Sequence, residues 1–112
     1  MKTTVDLTLN TGLSLAANFN SVPIEASRYT AFSVQVIFDY TGGATSAGSF
    51  SIQQSNDGVT WATSPSSTQA AVSTNSSILW NIPSVTARYV RVAYTYASGT
   101  GGTASILAHA TM

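Results

Sequence analysis

The sequence predicts an all-β fold, an antiparallel β-sandwich of jelly-roll type with about eight strands. Short segments of alternating apolar and polar residues recur along the chain, separated by Gly, Ser, Asn and Pro. No segment of ten or more residues has a clear helical period of 3.6. A chain of 112 residues is long enough for one hydrophobic core and too short for two, so we expect residues 1–112 to form a single domain.

In the first third of the chain, two strands and one edge segment are predicted. Apolar residues alternate with polar ones over residues 5–9, which indicates a strand that ends in a turn at residues 10–12. Pro23 cannot donate a ladder hydrogen bond, so its neighbours belong at a sheet edge or in a connection. Residues 28–40 are the longest apolar segment, and their β-branched and aromatic content favours a central strand. One face of this strand holds Phe32, Val34, Val36 and Phe38, and the other holds Ala31, Ser33, Gln35 and Ile37.

A hairpin over residues 51–61 is the clearest local signal in the sequence. The Asn-Asp-Gly run at residues 56–58 supplies residues that tolerate positive φ, and Val59 and Trp61 alternate on the expected return strand. The segment at residues 88–92 is the expected partner strand. We interpret this hairpin as a folding device in which the turn sets the register and Trp61 packs.

Four further strands are predicted after the hairpin. They span residues 69–73, 78–82, 88–97 and 103–111, with turns at residues 74–77 and 98–102. Alternation on the third of them places Val90, Val92, Tyr94 and Tyr96 on one face.

Composition limits the partners that this protein can have. The net charge is +0 and only 7% of residues are charged, which argues against a nucleic acid or an anionic membrane as partner. A neutral surface rich in Ser and Thr favours contact between copies, so we expect homo-oligomers. There is no cysteine, which excludes disulfides and thiolate metal sites. We find neither a signal-peptide pattern nor an apolar run of membrane-spanning length, and expect synthesis without a signal peptide.

Catalytic residues are not evident in the sequence. His109 is the only histidine and lies near the end of the last predicted strand, where a surface role is the simpler interpretation. The four acids are Asp6, Glu25, Asp39 and Asp57, and their spacing defines neither a carboxylate pair nor a calcium loop. We therefore predict no enzyme activity and no cofactor.

Two segments resemble the discoidin family, also called the coagulation factor 5/8 C-type domain. Residues 55–61 are similar to the family's Ser-x-Asp-Gly-x-x-Trp hairpin, and residues 87–92 are similar to its Ala-Arg-Tyr-Val/Ile-Arg strand. The resemblance covers roughly the second half of the chain and implies a galactose-binding-like β-sandwich. The chain is shorter than typical members and lacks their cysteines and N-terminal region, so their ligand-binding loops are not transferred.

The whole chain also resembles small phage and prophage virion proteins, which are free of cysteine and rich in Ser, Thr, Ala and Gly. That resemblance implies a structural role in decorating a capsid or forming part of a tail, with other virion proteins as partners, location in the virion and synthesis in the host cytoplasm. Virion assembly is our first interpretation.

The alternative function is a non-catalytic carbohydrate-binding module of galactose-binding-like type. Exposed aromatic rings would stack on sugar rings, so glycans are the partners that this alternative implies. The candidate ligand-binding residues are Trp61, Trp80, Tyr94 and Tyr96.

Overall fold

Two antiparallel β-sheets form the protein in a computed structural model that describes residues 3–71, 75–82 and 87–112. The described part contains one short helical element, a 3₁₀ turn at Ala26–Arg28. Its strands are β1 (Thr4–Ser14), β2 (Phe19–Asn20), β3 (Ile24–Glu25), β4 (Ala31–Asp39), β5 (Ser46–Ser55), β6 (Ala62–Thr63), β7 (Gln69–Ala70), β8 (Ser76–Ile82), β9 (Tyr89–Gly99) and β10 (Thr103–Thr111). The predicted all-β antiparallel sandwich is confirmed, and four of its strands are only two residues long.

The first sheet has the strand order β1-β10-β4-β8, and the second has the order β2-β9-β5-β6. In the second sheet β3 also pairs with β9, and β7 with β5. The predicted central strand is confirmed, because β4 lies between β10 and β8 and its apolar face is buried. In register, Val36 of β4 lies between Ile106 of β10 and Ile78 of β8.

The core lies between the inner faces of the two sheets. An aromatic cluster joins them, with the fully buried Phe50 of β5 at its centre. The Phe50 ring centroid is 5.4 Å from that of Phe38 in the other sheet and 4.7 Å from that of Tyr94 in its own sheet. Phe19 contacts both Phe50 and Tyr94, at 6.0 and 5.0 Å. Period-two alternation places these large rings on one side of each strand.

Strand β1 is longer than predicted, and the prediction of a turn at residues 10–12 is wrong. The strand continues to Ser14 and absorbs two shifts in its register with β10, between Thr8 and Leu13. Gly12 lies in this irregular segment with φ 64°. A β-bulge uses the same residue types as a turn, since both need a backbone that accepts positive φ. The chain thus reaches Leu15, which is fully buried, without leaving the sheet.

The hairpin prediction is correct in its turn and wrong in the extent of its return strand. Gly58 has φ 75°, and β5 pairs with β6 after the turn. The return strand contains only Ala62–Thr63, and Val59 is 81% exposed instead of lying on a strand face. The expected partner strand is confirmed, because β5 pairs with β9 along its whole length.

Asp57 organises this turn from within. One carboxylate oxygen accepts hydrogen bonds from the backbone N–H groups of Val59 and Thr60, at 2.9 and 2.8 Å, and from the Ser55 hydroxyl at 2.9 Å. These donors stabilise the charged form and lower the pKa of Asp57 to about 2, with the Thr60 N–H as the largest cause. The lone acid at residue 57 is therefore a turn residue.

The later strands agree with the sequence in most places. The last strand, Thr103–Thr111, has its predicted bounds. The strand predicted at residues 69–73 is present as Gln69–Ala70, and part of it, with the first residue of the following turn, lies outside the described residues. The turn predicted at residues 74–77 is wrong at its end, because Ser76 and Ser77 already pair with β4. The hydrogen bonds between paired strands join backbone N–H and C=O groups, so serines can extend a strand as well as apolar residues can.

Candidate ligand-binding site

The four aromatic candidates from the sequence lie in different places. Tyr94 is only 2% exposed, and its hydroxyl donates to the Leu15 carbonyl at 2.8 Å, so its ring packs in the core and does not face a ligand. Tyr96 is half-buried against the core, and its hydroxyl donates to the Gly99 carbonyl at 2.7 Å. Both tyrosine hydroxyls are thus used within the fold, which leaves the two tryptophans as candidates for ligand contact.

Trp80 lies on the core side of β8, the edge strand of the first sheet. It pairs in register with Val34, and its half-buried ring packs at the margin of the core. The indole N–H donates to the Ser67 carbonyl at 2.9 Å. A buried tryptophan normally finds a partner for this N–H. Here the bond also fixes the plane of the ring, because it ties β8 to the loop that follows β6.

A pocket of about 250 Å³ opens beside Trp80, between the edge of the first sheet and the inner side of the second. We call it the Trp80 pocket. Apolar side chains and the indole ring form much of its surface, and uncharged polar side chains complete it. Its lining residues are Ile52, Gln54, Ser64, Pro65, Ser66, Ser67, Trp80, Asn81, Ile82 and Val90.

One wall of the Trp80 pocket is the loop between β6 and β7, and hydrogen bonds hold this loop against β5. The Ser67 hydroxyl accepts the Ile52 N–H at 3.1 Å and donates to the Ser64 carbonyl at 2.8 Å. The amide of Gln54 donates to the Ser64 hydroxyl. Ser66 has φ 60°, a left-handed conformation that is costly for a residue with a Cβ atom. The wall is therefore fixed in shape, including one strained residue.

Two polar groups of the pocket wall have unused hydrogen-bonding capacity. The Ser66 hydroxyl is exposed and forms no hydrogen bond in the described part of the chain, and the side-chain oxygen of Gln54 accepts none there. The Asn81 side chain lies on the outer face of the first sheet, because Asn81 alternates with Trp80 along β8. The pocket therefore combines a fixed aromatic ring with free hydrogen-bonding groups, the usual chemistry of a small-molecule site.

Trp61 lies elsewhere, on the outer side of the second sheet. The guanidinium carbon of Arg91 is 4.1 Å from the centroid of the Trp61 ring, a cation–π contact. The Nε–H of Arg91 donates to the Gln53 side-chain oxygen at 2.9 Å. Trp61 and Trp80 therefore belong to two separate surfaces, which the sequence could not indicate.

The structure also brings together two residues that the sequence left apart. Asp6 and His109 are cross-strand neighbours on β1 and β10, and a carboxylate oxygen of Asp6 contacts Nδ1 of His109. Ser33 on β4 is the next residue in the same cross-strand row, but no hydrogen bond joins the described Ser33 and His109 side chains. A serine nucleophile requires that bond and donors for an oxyanion. The sheet face is open to solvent, consistent with the surface role predicted for His109.

Among residues 3–71, 75–82 and 87–112, no three His, Asp or Glu side chains are grouped closely enough to hold a metal ion. No helix within these ranges is long and apolar enough to cross a membrane.

The fold is a two-sheet antiparallel β-sandwich with a small concave pocket at its edge. The sequence model of the F5/8 type C domain matches residues 27–108, well over half of the chain. The chain therefore belongs to the F5/8 type C family, and the resemblance seen in its second half extends through β4 and includes every residue of the Trp80 pocket. Comparisons with curated proteins and with solved structures found no significant match.

Proposed function

We propose that this protein is a non-catalytic carbohydrate-binding module that holds a neutral sugar ring in the Trp80 pocket. The observation that carries the proposal is the indole ring of Trp80, fixed by its bond to Ser67 beside the free hydroxyl of Ser66 and the free side-chain oxygen of Gln54. Membership of the F5/8 type C family supports a binding role of galactose-binding-like kind.

The chemistry of the pocket matches the two faces of a sugar. The C–H face of a pyranose is apolar and packs on an aromatic ring, and its hydroxyl groups need donors and acceptors at the rim. The Ser66 hydroxyl and the Gln54 side-chain oxygen supply those groups. None of the lining residues is charged, so the ligand is neutral and its binding depends little on salt. A volume of about 250 Å³ is below the roughly 300–1,000 Å³ of drug-sized sites, which favours one sugar unit.

Titration calorimetry against neutral monosaccharides and a glycan array would test this proposal. We expect Trp80→Ala to abolish binding, because the stacking surface is removed, and Ser66→Ala to weaken it by about 2- to 10-fold, the value of one hydrogen bond. Trp61→Ala is the matched control and should bind like the wild type, since Trp61 lies on the other surface.

Circular dichroism and thermal melts would establish that each variant is folded before its affinity is compared. Because loss of the indole–Ser67 bond could destabilise Trp80→Ala, substitution of the exposed Ser66 by Ala provides an independent measurement. A wild-type protein that binds no glycan on the array, or folded variants at both positions that bind unchanged, would refute the proposal.

The virion-assembly interpretation stays a prediction, together with self-association, binding to other virion proteins and location in the virion. The family match supports glycan binding in preference to it. Size-exclusion chromatography with light scattering over a wide concentration range tests self-association directly. A monomer at every concentration would count against assembly and leave the glycan proposal intact.

A further inference from the structure

Strand β8 is an edge of the first sheet, where β4 is its single neighbour among the described residues. The seven residues of Ser76–Ile82 all lie in register with β4, without a bulge. In an antiparallel ladder, alternate residues of an edge strand direct their N–H and C=O groups away from the neighbouring strand. No hydrogen bond joins these backbone groups of β8 to another element in the described part of the chain. The outer edge of β8 therefore offers free donors and acceptors to a further strand.

The strands at the other sheet edges in the described part of the chain are protected in ways that β8 is not. At the opposite edge of the first sheet, β1 has two register shifts and carries an acidic side chain, Asp6. In the second sheet, β2, β3, β6 and β7 are each only two residues long. Bulges, charges and very short edge strands are devices that prevent a sheet from pairing with another molecule. Strand β8 contains neither a charged residue nor a proline, so it lacks these devices.

The residue pattern of β8 is complementary to itself when the strand is reversed about Leu79. In that arrangement Leu79 lies opposite its own copy, and Ile78 lies opposite Trp80 on the core side of the sheet. On the outer face, Ser77 lies opposite Asn81. Apolar residues thus meet apolar residues and polar residues meet polar ones, and the outermost pair alone is mixed. A two-fold interface requires this kind of self-complementarity, because the same surface is used by both copies.

Leu79 is the apolar side chain that such a pairing would cover. It is 51% exposed on the outer face of the sheet, and apolar side chains directly opposite each other on paired strands stabilise the pair. The net charge of the chain is +0, so two copies approach each other without net repulsion. We propose that two copies of this chain pair through β8 in antiparallel orientation, about a two-fold axis at Leu79. The pairing joins the first sheets of the two copies into one continuous sheet.

Cysteine crosslinking tests the position of the axis, because the chain has no cysteine of its own. Opposite Cα atoms of antiparallel strands are about 4.5–5.5 Å apart, within the roughly 4.4–6.8 Å that a disulfide spans. Ser77→Cys is the matched control on the same face of β8, because its two copies would be about 13 Å apart along the paired strands, too far for a disulfide. Under mild oxidation, we expect Leu79→Cys to form a covalent dimer at least about tenfold faster than Ser77→Cys, measured by non-reducing electrophoresis.

Sedimentation equilibrium over a wide concentration range measures the same dimer without a covalent link. Leu79→Lys places two like charges opposite each other at the axis, so we expect the Kd of the dimer to rise at least about tenfold. Ile37→Lys is the control, since Ile37 is also an exposed apolar residue of the outer face but lies on β4, one strand away from the edge. We expect it to dimerise like the wild type. Circular dichroism and thermal melts would establish that both variants are folded.

Outcomes of three kinds would overturn the proposal. A wild-type protein that is monomeric at every concentration would exclude the dimer, and equally fast crosslinking of Leu79→Cys and Ser77→Cys would exclude an axis at Leu79. Unchanged association of a folded Leu79→Lys, or equal weakening by Ile37→Lys, would place the contact on another surface. Failure of neutral sugars to bind the Trp80 pocket would leave these results unaffected, so the two proposals fail separately.

Discussion

At the scale of single residues, Gly58 shows how a turn can depend on the absence of a side chain. Its φ of 75° is in the left-handed region, and a Cβ atom built there would lie 3.3 Å from Cε2 of Tyr89. Its N–H donates to the Ser55 hydroxyl at 2.9 Å, so the backbone cannot rotate freely to relieve the strain. The Asn-Asp-Gly pattern allowed this residue to be predicted from the sequence, because positive φ is a local property.

We expect Gly58→Val to lower the free energy of unfolding by about 2 kcal/mol or more, since the left-handed conformation costs about 1–2 kcal/mol for a residue with a Cβ atom and a β-branched side chain adds crowding. Urea denaturation measures this change. Gly58→Asn is the matched control and should lose clearly less, because asparagine tolerates positive φ. A Gly58→Val protein as stable as the wild type would show that the turn is not constrained in this way.

At the scale of elements, the turn between β5 and β6 is held by one carboxylate. Asp57 accepts three hydrogen bonds within the turn, which lowers its pKa from 3.8 to about 2. The folded protein therefore binds this proton less readily than the unfolded chain does. The charged carboxylate contributes its full stabilisation above about pH 4, and this contribution disappears as the pH falls through about 2.

The pH dependence of Asp57→Asn tests this contribution. Asparagine keeps an oxygen acceptor and loses the charge, so we expect the wild type to be more stable at neutral pH and the two stabilities to converge between about pH 4 and pH 2. Urea denaturation at several pH values measures the difference. Hydrogen bonds with Thr41 also lower the pKa of Asp39, so Asp39 makes stability depend on pH as well. Because Asp39 is present in both proteins, its contribution drops out of the difference between their free energies of unfolding. A constant difference over this range would contradict the role assigned to the charge.

Element boundaries show where local patterns are ambiguous. The Asn-Thr-Gly run at residues 10–12 lies in a bulged part of β1, whereas the Asn-Asp-Gly run at residues 56–58 makes a true turn. Both runs begin with Asn and end with Gly, and both glycines have positive φ. What separates them is the presence of β10 alongside β1, which continues to pair after the irregularity. Because β10 is distant from β1 in sequence, the local residue pattern of β1 does not indicate this pairing.

At the scale of the whole molecule, the aromatic cluster around Phe50 is the connection between the sheets. Phe38 comes from the first sheet, whereas Phe19, Phe50 and Tyr94 come from the second. Phe50 is fully buried and lies within 6.0 Å of the other three ring centroids. Without cysteines, such packing takes the place of covalent links between the layers.

We expect Phe50→Ala to lower the free energy of unfolding by about 3–5 kcal/mol, because it removes a large buried ring and leaves a cavity. That is a large share of the roughly 5–15 kcal/mol that stabilises a typical domain. Urea denaturation with an unchanged m-value measures the effect. Val59→Ala is the control, since Val59 is 81% exposed and should change stability by no more than about 0.5 kcal/mol. If Phe50→Ala also lowered the free energy of unfolding by no more than about 0.5 kcal/mol, the aromatic cluster would not be what joins the two sheets.

The candidate sites were only partly predictable from the sequence. Trp61 and Trp80 could be named as candidates because exposed aromatic rings bind sugars, and Tyr94 was named for the same reason although it packs in the core. The contacts of Arg91 with the Trp61 ring and with Gln53, which is 38 residues away in sequence, could not be predicted. The alternation of apolar and polar residues indicates which face of a strand a residue lies on. It does not indicate which residues of other elements that residue contacts.

The sequence by itself determined the all-β class, the central strand β4, the last strand and the turn at Gly58, because backbone geometry ties each of these to a local pattern. The tertiary structure alone decided the contact of Asp6 with His109, the bulge that carries β1 past Gly12, and the separation of Trp61 from Trp80. Each of these depends on which strands pair and in what register. Core packing across the whole chain selects that arrangement.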